Sequence, residues 1–164
     1  NMELFMDPLT NTYARRYFES YRSHLEGMEH VAIIDVDSFK QVNDAYGHQT
    51  GDTVLRDIAA AIHSCIRSTD TLIRYGGDEF LLLFPKMDKH IFTRKQNEIR
   101  EAVRRIVIPE HPELHLSVSI GGVSGVHPLA EAIRQADYLM YENKEKYYTE
   151  GEHVTPPPRK WKKI

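Results

Sequence analysis

The sequence predicts an α+β fold, a ferredoxin-like antiparallel sheet covered by helices, and three observations carry that expectation. The run from His30 to Asp37 is almost continuously apolar and ends in acids, the pattern of a strand buried on both faces. Two further apolar runs, Thr71 to Tyr75 and Glu79 to Phe84, flank Gly76-Gly77-Asp78 and read as a hairpin. Helical periodicity fills the stretches between, giving the order β-α-α-β-β-α-β-α behind a leading helix, with the sheet on one side and the helices on the other.

Each element has its own signal. Asp7-Pro8 reads as an N-cap followed by proline at the first helical position, so the leading helix is expected from Asp7 to about Leu25, ending near Gly27. A short helix is expected over Ser38 to Tyr46, broken at Gly47. The next runs from about Asp52 to Ile66 on an apolar stripe of Val54, Leu55, Ile58, Ala59 and Ile62. Paired glycines at 76 and 77 suggest a tight primed turn, which needs positive φ at its central residues. Helix returns from Asp88 to Ile108, Leu116 to Ile120 alternates as a strand, and Pro128 to about Lys146 forms a last amphipathic helix.

At 164 residues the chain holds one domain. Residues 1–6 read as a tag scar or a linker from an upstream region, residues 7–150 as the domain, and residues 151–164 as a basic C-terminal tail that starts at a proline triplet. A net charge of −3 offers no track for nucleic acid and no attraction to an anionic membrane. The single cysteine, Cys65, excludes a disulfide framework, and a cytoplasmic location is expected. No run reaches the length of a membrane span.

Chemistry concentrates in two acidic groups at strand ends, Asp35-Val36-Asp37 and Asp78-Glu79. Carboxylates beside apolar strands are costly unless a cation compensates them, and an all-oxygen donor set suits Mg²⁺. The competing reading is solvated turn acids, and pattern alone leaves both open. The histidines form no H-E-x-x-H helix, the glycines no Walker A loop, and no serine lies in a G-x-S-x-G elbow.

Arg74-Tyr75-Gly76-Gly77-Asp78-Glu79-Phe80 reproduces the signature of the GGDEF family of diguanylate cyclases, and the resemblance runs along nearly the whole chain. Asp7-Pro8-Leu9-Thr10 resembles the family's opening motif. Asp35 to Asp44 with Tyr46-Gly47-His48 and Gly51-Asp52 resembles its metal and guanine segment. Ser117 to Gly122 resembles its late strand, and Ala136-Asp137, Tyr141 and Lys144 its closing helix. The resemblance implies the fold of nucleotidyl cyclases and polymerase palm domains.

It also implies an activity, the Mg²⁺-dependent condensation of two GTP into cyclic di-GMP and two pyrophosphates across a homodimer, with manganese able to replace magnesium. Asp35, the Val36 carbonyl and Asp78 would hold the metal, and Glu79 would join them or deprotonate the attacking hydroxyl. The Ser38 and Phe39 amides, Lys40 and Lys144 would bind phosphates, Lys40 acting in catalysis beside Asp78 and Glu79. Asn43 and Asp52 would read guanine, because a carboxylate accepts the two donors of guanine's edge and would face an acceptor on adenine. Arg67 and Asp70 match the family's R-x-x-D site, where cyclic di-GMP restrains the enzyme.

Alternatives remain beside this reading. Lys40 and Lys144 resemble ordinary solvated helix lysines, and Arg67 with Asp70 a surface ion pair. A silent member would bind GTP or cyclic di-GMP only as a sensor. Asn11 stands where glycine is usual, Ala14 where asparagine is, and Tyr148 where a basic residue often lies. An input domain is expected upstream.

Overall fold

A computed structural model describes residues 2–150. After a 3₁₀ turn at Met2–Phe5 come β1 (Met6–Asp7), β2 (Thr12–Ala14), α1 (Arg15–Ser20), α2 (Arg22–Leu25) and β3 (His30–Val36). There follow α3 (Phe39–Tyr46), α4 (His48–Ser64), β4 (Thr71–Arg74), β5 (Glu79–Phe84), α5 (Lys89–Arg104), β6 (Val118–Ser124) and α6 (Leu129–Glu150). One six-stranded sheet has the order β1-β2-β4-β5-β3-β6. Every neighbouring pair is antiparallel except β2–β4, which is parallel. The expected basic tail, residues 151–164, lies outside the described residues.

The central strand β3 is buried along all of its length, and its alternation splits the core into two clusters. Ala32, Ile34 and Val36 join Phe80, Leu82 and Phe84 against Val54, Ile58 and Ile62 of α4 and Phe92, Ile99 and Val103 of α5. Val31, Ile33, Leu81 and Leu83 face the other way, onto Phe18 of α1 and Leu129, Ile133, Ala136 and Met140 of α6. Helices therefore cover both faces, where the sequence reading had placed them all on one. The physical reason is in β3 itself, since a strand apolar on both sides needs a helical layer on each.

The N-terminal segment also differs. The Asp7 carboxylate does accept from the Thr10 N–H, at 2.9 Å, as a helix cap would. Asn11, at φ 56°, then reverses the chain, and Asp7 pairs with Thr12 across a short hairpin. The same side-chain bond thus closes a turn, and helix starts only at Arg15. Further along, Gly47, at φ 90°, ends α3 and lets α4 begin at His48, so Gly51 and Asp52 lie inside a helix.

The Gly76-Gly77 turn is not of the primed type. Among the described residues only Gly47 and Gly125 are glycines with positive φ. Arg74 pairs with Phe80, and the Tyr75 N–H donates to the Glu79 carbonyl at 2.9 Å, which closes a wider loop. Gly76 serves space instead, because a Cβ there would lie 2.3 Å from Glu79 Oε1.

Candidate functional site

The two acidic groups meet because β3 and β5 are neighbours in register. Asp35 pairs with Glu79, and one step beyond, the Val36 N–H donates to the Asp78 carbonyl at 3.1 Å. Along β3, Asp35 and Asp37 continue the side that carries Val31 and Ile33, toward α6. Asp35, Asp37 and Glu79 are all buried, at 4%, 5% and 6% exposure. That removes the reading of these three as solvated turn acids.

Their compensation comes from α6. This helix lies unusually close to β6, since a Cβ on Gly121 would fall 2.0 Å from the Ala136 carbonyl oxygen and 2.2 Å from the Met140 nitrogen. One turn past Met140, Lys144 is 2% exposed. Its Nζ lies 3.0 Å from Asp37 Oδ1, 3.8 Å from Asp35 Oδ2 and 3.3 Å from the Val36 carbonyl oxygen. Burial pulls the pKa of this ammonium down, but the charges of Asp35 and Asp37 and the hydrogen bond to Asp37 outweigh it, and the net shift is upward. Lys144 is therefore no solvated helix lysine. Asp37, part of the expected acidic group but given no ligand role by the family resemblance, is held by Ser117 Oγ at 2.7 Å and Ser119 Oγ at 2.6 Å.

The remaining expected residues are distributed around this cluster. The Ser38 N–H donates to the Tyr148 hydroxyl at 3.2 Å, and Ser38 Oγ meets the Tyr147 hydroxyl at 3.2 Å. Phe39, the first residue of α3, packs partly buried against the core. Lys40 points outward to Asp44 at 2.8 Å, both side chains largely exposed, so the fold does not bring it to Asp35. The Asn43 carboxamide lies against Gly51, the residue that precedes exposed Asp52 on α4.

Across the hairpin runs a contact that sequence reading missed. Arg74 donates through Nε and Nη2 to the Gly77 carbonyl, at 3.1 and 2.8 Å, and through Nη1 to both Asp7 oxygens, at 3.3 and 3.2 Å. Burial pushes the Asp7 carboxyl up, but its Thr10 hydrogen bonds and Arg74 hold it below the usual carboxylate value. At the far end of β4, Asp70 Oδ2 accepts from the Arg67 backbone N–H at 2.8 Å. Among the described residues no Arg67–Asp70 ion pair forms; the exposed Arg67 lines a cleft of about 420 Å³ with Asp70, His63, Asn11 and Tyr13.

The oxygen donors of Asp35, the Val36 carbonyl and the adjacent Asp78 fit the hard-cation chemistry of Mg²⁺, and two of them already lie beside a positive charge, that of Lys144. Among the described residues no three His, Cys, Asp or Glu side chains stand together as a ready metal cluster. No described helix is long and apolar enough to cross a membrane.

Comparison with known proteins agrees with this geometry. The family described as "Diguanylate cyclase, GGDEF domain" matches residues 4–149. Diguanylate cyclase DosC of Escherichia coli is 35% identical over 150 residues, covering 85% of this chain and 33% of DosC. The chain thus spans about a third of that curated relative. Pseudomonas aeruginosa diguanylate cyclase SiaD, solved with its activator SiaC, superposes with a TM-score of 0.76 at 33% identity, over 85% of this chain and 58% of that one. The GGDEF domain of Caulobacter crescentus DgcB, solved with c-di-GMP, gives 0.73 at 28% identity, over 91% and 92%. Signature hairpin, register and family match coincide, and the chain belongs to the GGDEF family of diguanylate cyclases.

Proposed function

We propose that this domain condenses two GTP molecules into cyclic di-GMP, releasing two pyrophosphates, each of two copies of the domain presenting one GTP to the other. The observation that carries this reading is the register of Asp35 with Glu79, which brings both acidic groups to one end of the sheet beside a buried lysine. Asp35, the Val36 carbonyl and Asp78 would hold Mg²⁺, which supplies charge stabilisation at the transferring phosphate. The 3′ hydroxyl of one GTP forms the new bond to the α-phosphorus of the other as the bond to pyrophosphate breaks. Glu79, buried beside Asp35, takes the hydroxyl proton.

Lys144 carries phosphate charge from the closed side of the site, and Lys40 from the open side once it leaves Asp44. The Ser38 and Phe39 amides stand at the start of α3, where a phosphate oxygen would replace the Tyr148 hydroxyl. Asn43 and Asp52 read guanine. Arg67 and Asp70 hold product in their cleft, at the opposite end of β4 from the hairpin.

A second reading, nucleotide binding without turnover, is favoured by the tyrosine hydroxyls at Ser38 and by the Lys40–Asp44 pair. Incubating the purified domain with GTP and Mg²⁺ and separating the products by chromatography tests both. Cyclic di-GMP from the wild type and none from folded Asp78→Ala supports the cyclase. GTP binding by calorimetry with no product supports the sensor.

A further inference from the structure

Gly51 stands where helix physics argues against glycine. It lies within α4, its N–H bonded to the Gly47 carbonyl at 3.1 Å as in any helix, and its φ is outside the left-handed region. Glycine at such a place loses more freedom on folding than alanine and weakens the helix. Local rules broken without local benefit tend to mark function. What alanine would lack here is room. A Cβ on Gly51 would lie 1.8 Å from Asn43 Oδ1 and 3.0 Å from Asn43 Cγ, with the tip of the Phe39 ring at 3.4 Å. The carboxamide of α3 occupies the space of the missing side chain.

We infer that Gly51 is a positioning residue for base recognition: its bare backbone lets the Asn43 carboxamide lie across α4 beside Asp52, so that both polar groups reach the same purine edge. The inference rests on the reading of Asn43 and Asp52 as the guanine-binding pair. Asn43 is the movable partner in the clash, because its carboxamide is the end of a side chain whereas Gly51 is fixed in a helix. A methyl group at 51 would therefore turn Asn43 away without breaking the backbone. Of the proposed phosphate contacts, at Ser38, Phe39, Lys40 and Lys144, the added methyl would approach only the tip of the Phe39 ring, at an ordinary 3.4 Å.

The test is a four-protein cycle of wild type, Gly51→Ala, Asn43→Ala and the double variant. Calorimetry measures binding of non-hydrolysable GTP and ATP analogues with Mg²⁺, and circular dichroism follows melting. Gly51→Ala should melt no lower than wild type, since alanine favours the helix, yet lose about tenfold of its preference for GTP over ATP, the worth of one good hydrogen bond. In the Asn43→Ala background the same change should have no further effect, because the obstructed group is gone. If Gly51→Ala fails to fold, Gly51 is needed for the fold rather than for base recognition, and the inference is overturned. Unchanged preference in folded Gly51→Ala overturns it when Asn43→Ala alone lowers that preference. A further loss in the double variant, or a double variant that does not fold, also overturns it. Unchanged preference in Asn43→Ala overturns the base-reading assignment and this inference with it.

Discussion

Replacing Lys144 with methionine keeps the length of the side chain and removes the one charge that sits between two buried carboxylates. At separations of 3.0 Å to Asp37 and 3.8 Å to Asp35, an effective dielectric of about 20 gives attractions of about 5.5 and about 4.4 kcal/mol. Against these stands the cost of drying the ammonium, several kcal/mol, which methionine does not incur. The variant nevertheless keeps Asp35 and Asp37 buried and facing each other, and stranding a buried charge in this way costs about 3–5 kcal/mol. Urea unfolding followed by circular dichroism should show it as a midpoint lowered by about 2 M, for a slope of about 2 kcal/mol per molar. Magnesium then separates charge from shape. If Asp35 and the Val36 carbonyl form a cation site, Mg²⁺ should stabilise the variant more than the wild type, where Lys144 already fills that electrostatic need. A variant within about 0.5 kcal/mol of wild type, with the same response to Mg²⁺, would refute the cation-site argument.

Two other perturbations probe the ends of β4. Asp7→Asn removes the carboxylate that joins Arg74 to Thr10, and should cost about 1.5–3 kcal/mol at neutral pH. Because the folded carboxyl titrates below its ordinary value of 3.8, its contribution is present above that value and is lost as the pH falls through the folded value. The stability gap between wild type and variant should therefore close in acid, and a gap constant from pH 7 to pH 2 would contradict the assignment. Arg67→Ala leaves every proposed metal and guanine ligand in place. It should weaken cyclic di-GMP binding about 10- to 100-fold by calorimetry while product formation continues to higher levels. Equal affinity would make Arg67 an ordinary surface arginine.

The parts of the fold legible in the sequence are those whose signal is local. The apolar run of β3 and the stripe of α4 announced themselves, and the signature hairpin fell where the glycines put it. Residues 6–14 were not legible, because an aspartate that binds the amide three residues on is common to a helix cap and to a turn. The strand pairing and Arg74, 67 residues away, complete the turn. The glycine pair misled for a similar reason. Glycine serves both positive φ and empty space, and at Gly76 the deciding atom belongs to Glu79.

Lys40 and Lys144 show where reading of the site stopped short and what would have carried it further. Each is a lysine on a helix, and the sequence reading gave both a phosphate-binding role beside the reading of a solvated lysine, with Lys40 also placed in catalysis. The fold separates them, one 83% exposed beside Asp44, the other buried against Asp37 from 107 residues away. Yet the difference was already encoded. Asp35 and Asp37 are two apart on a strand and so share a face, which obliges a buried strand end to find a cation. On α6, Ala136, Met140, Lys144 and Tyr148 recur every fourth residue, and all four are buried. A lysine in the apolar stripe of an amphipathic helix cannot be solvated if that stripe is the one packed on the sheet. The same-face acids of β3 and the misplaced lysine of α6 are two halves of one electrostatic requirement. Gly121 lets them meet by bringing the α6 backbone onto β6, so the charge balance of the site depends on a residue that carries no charge.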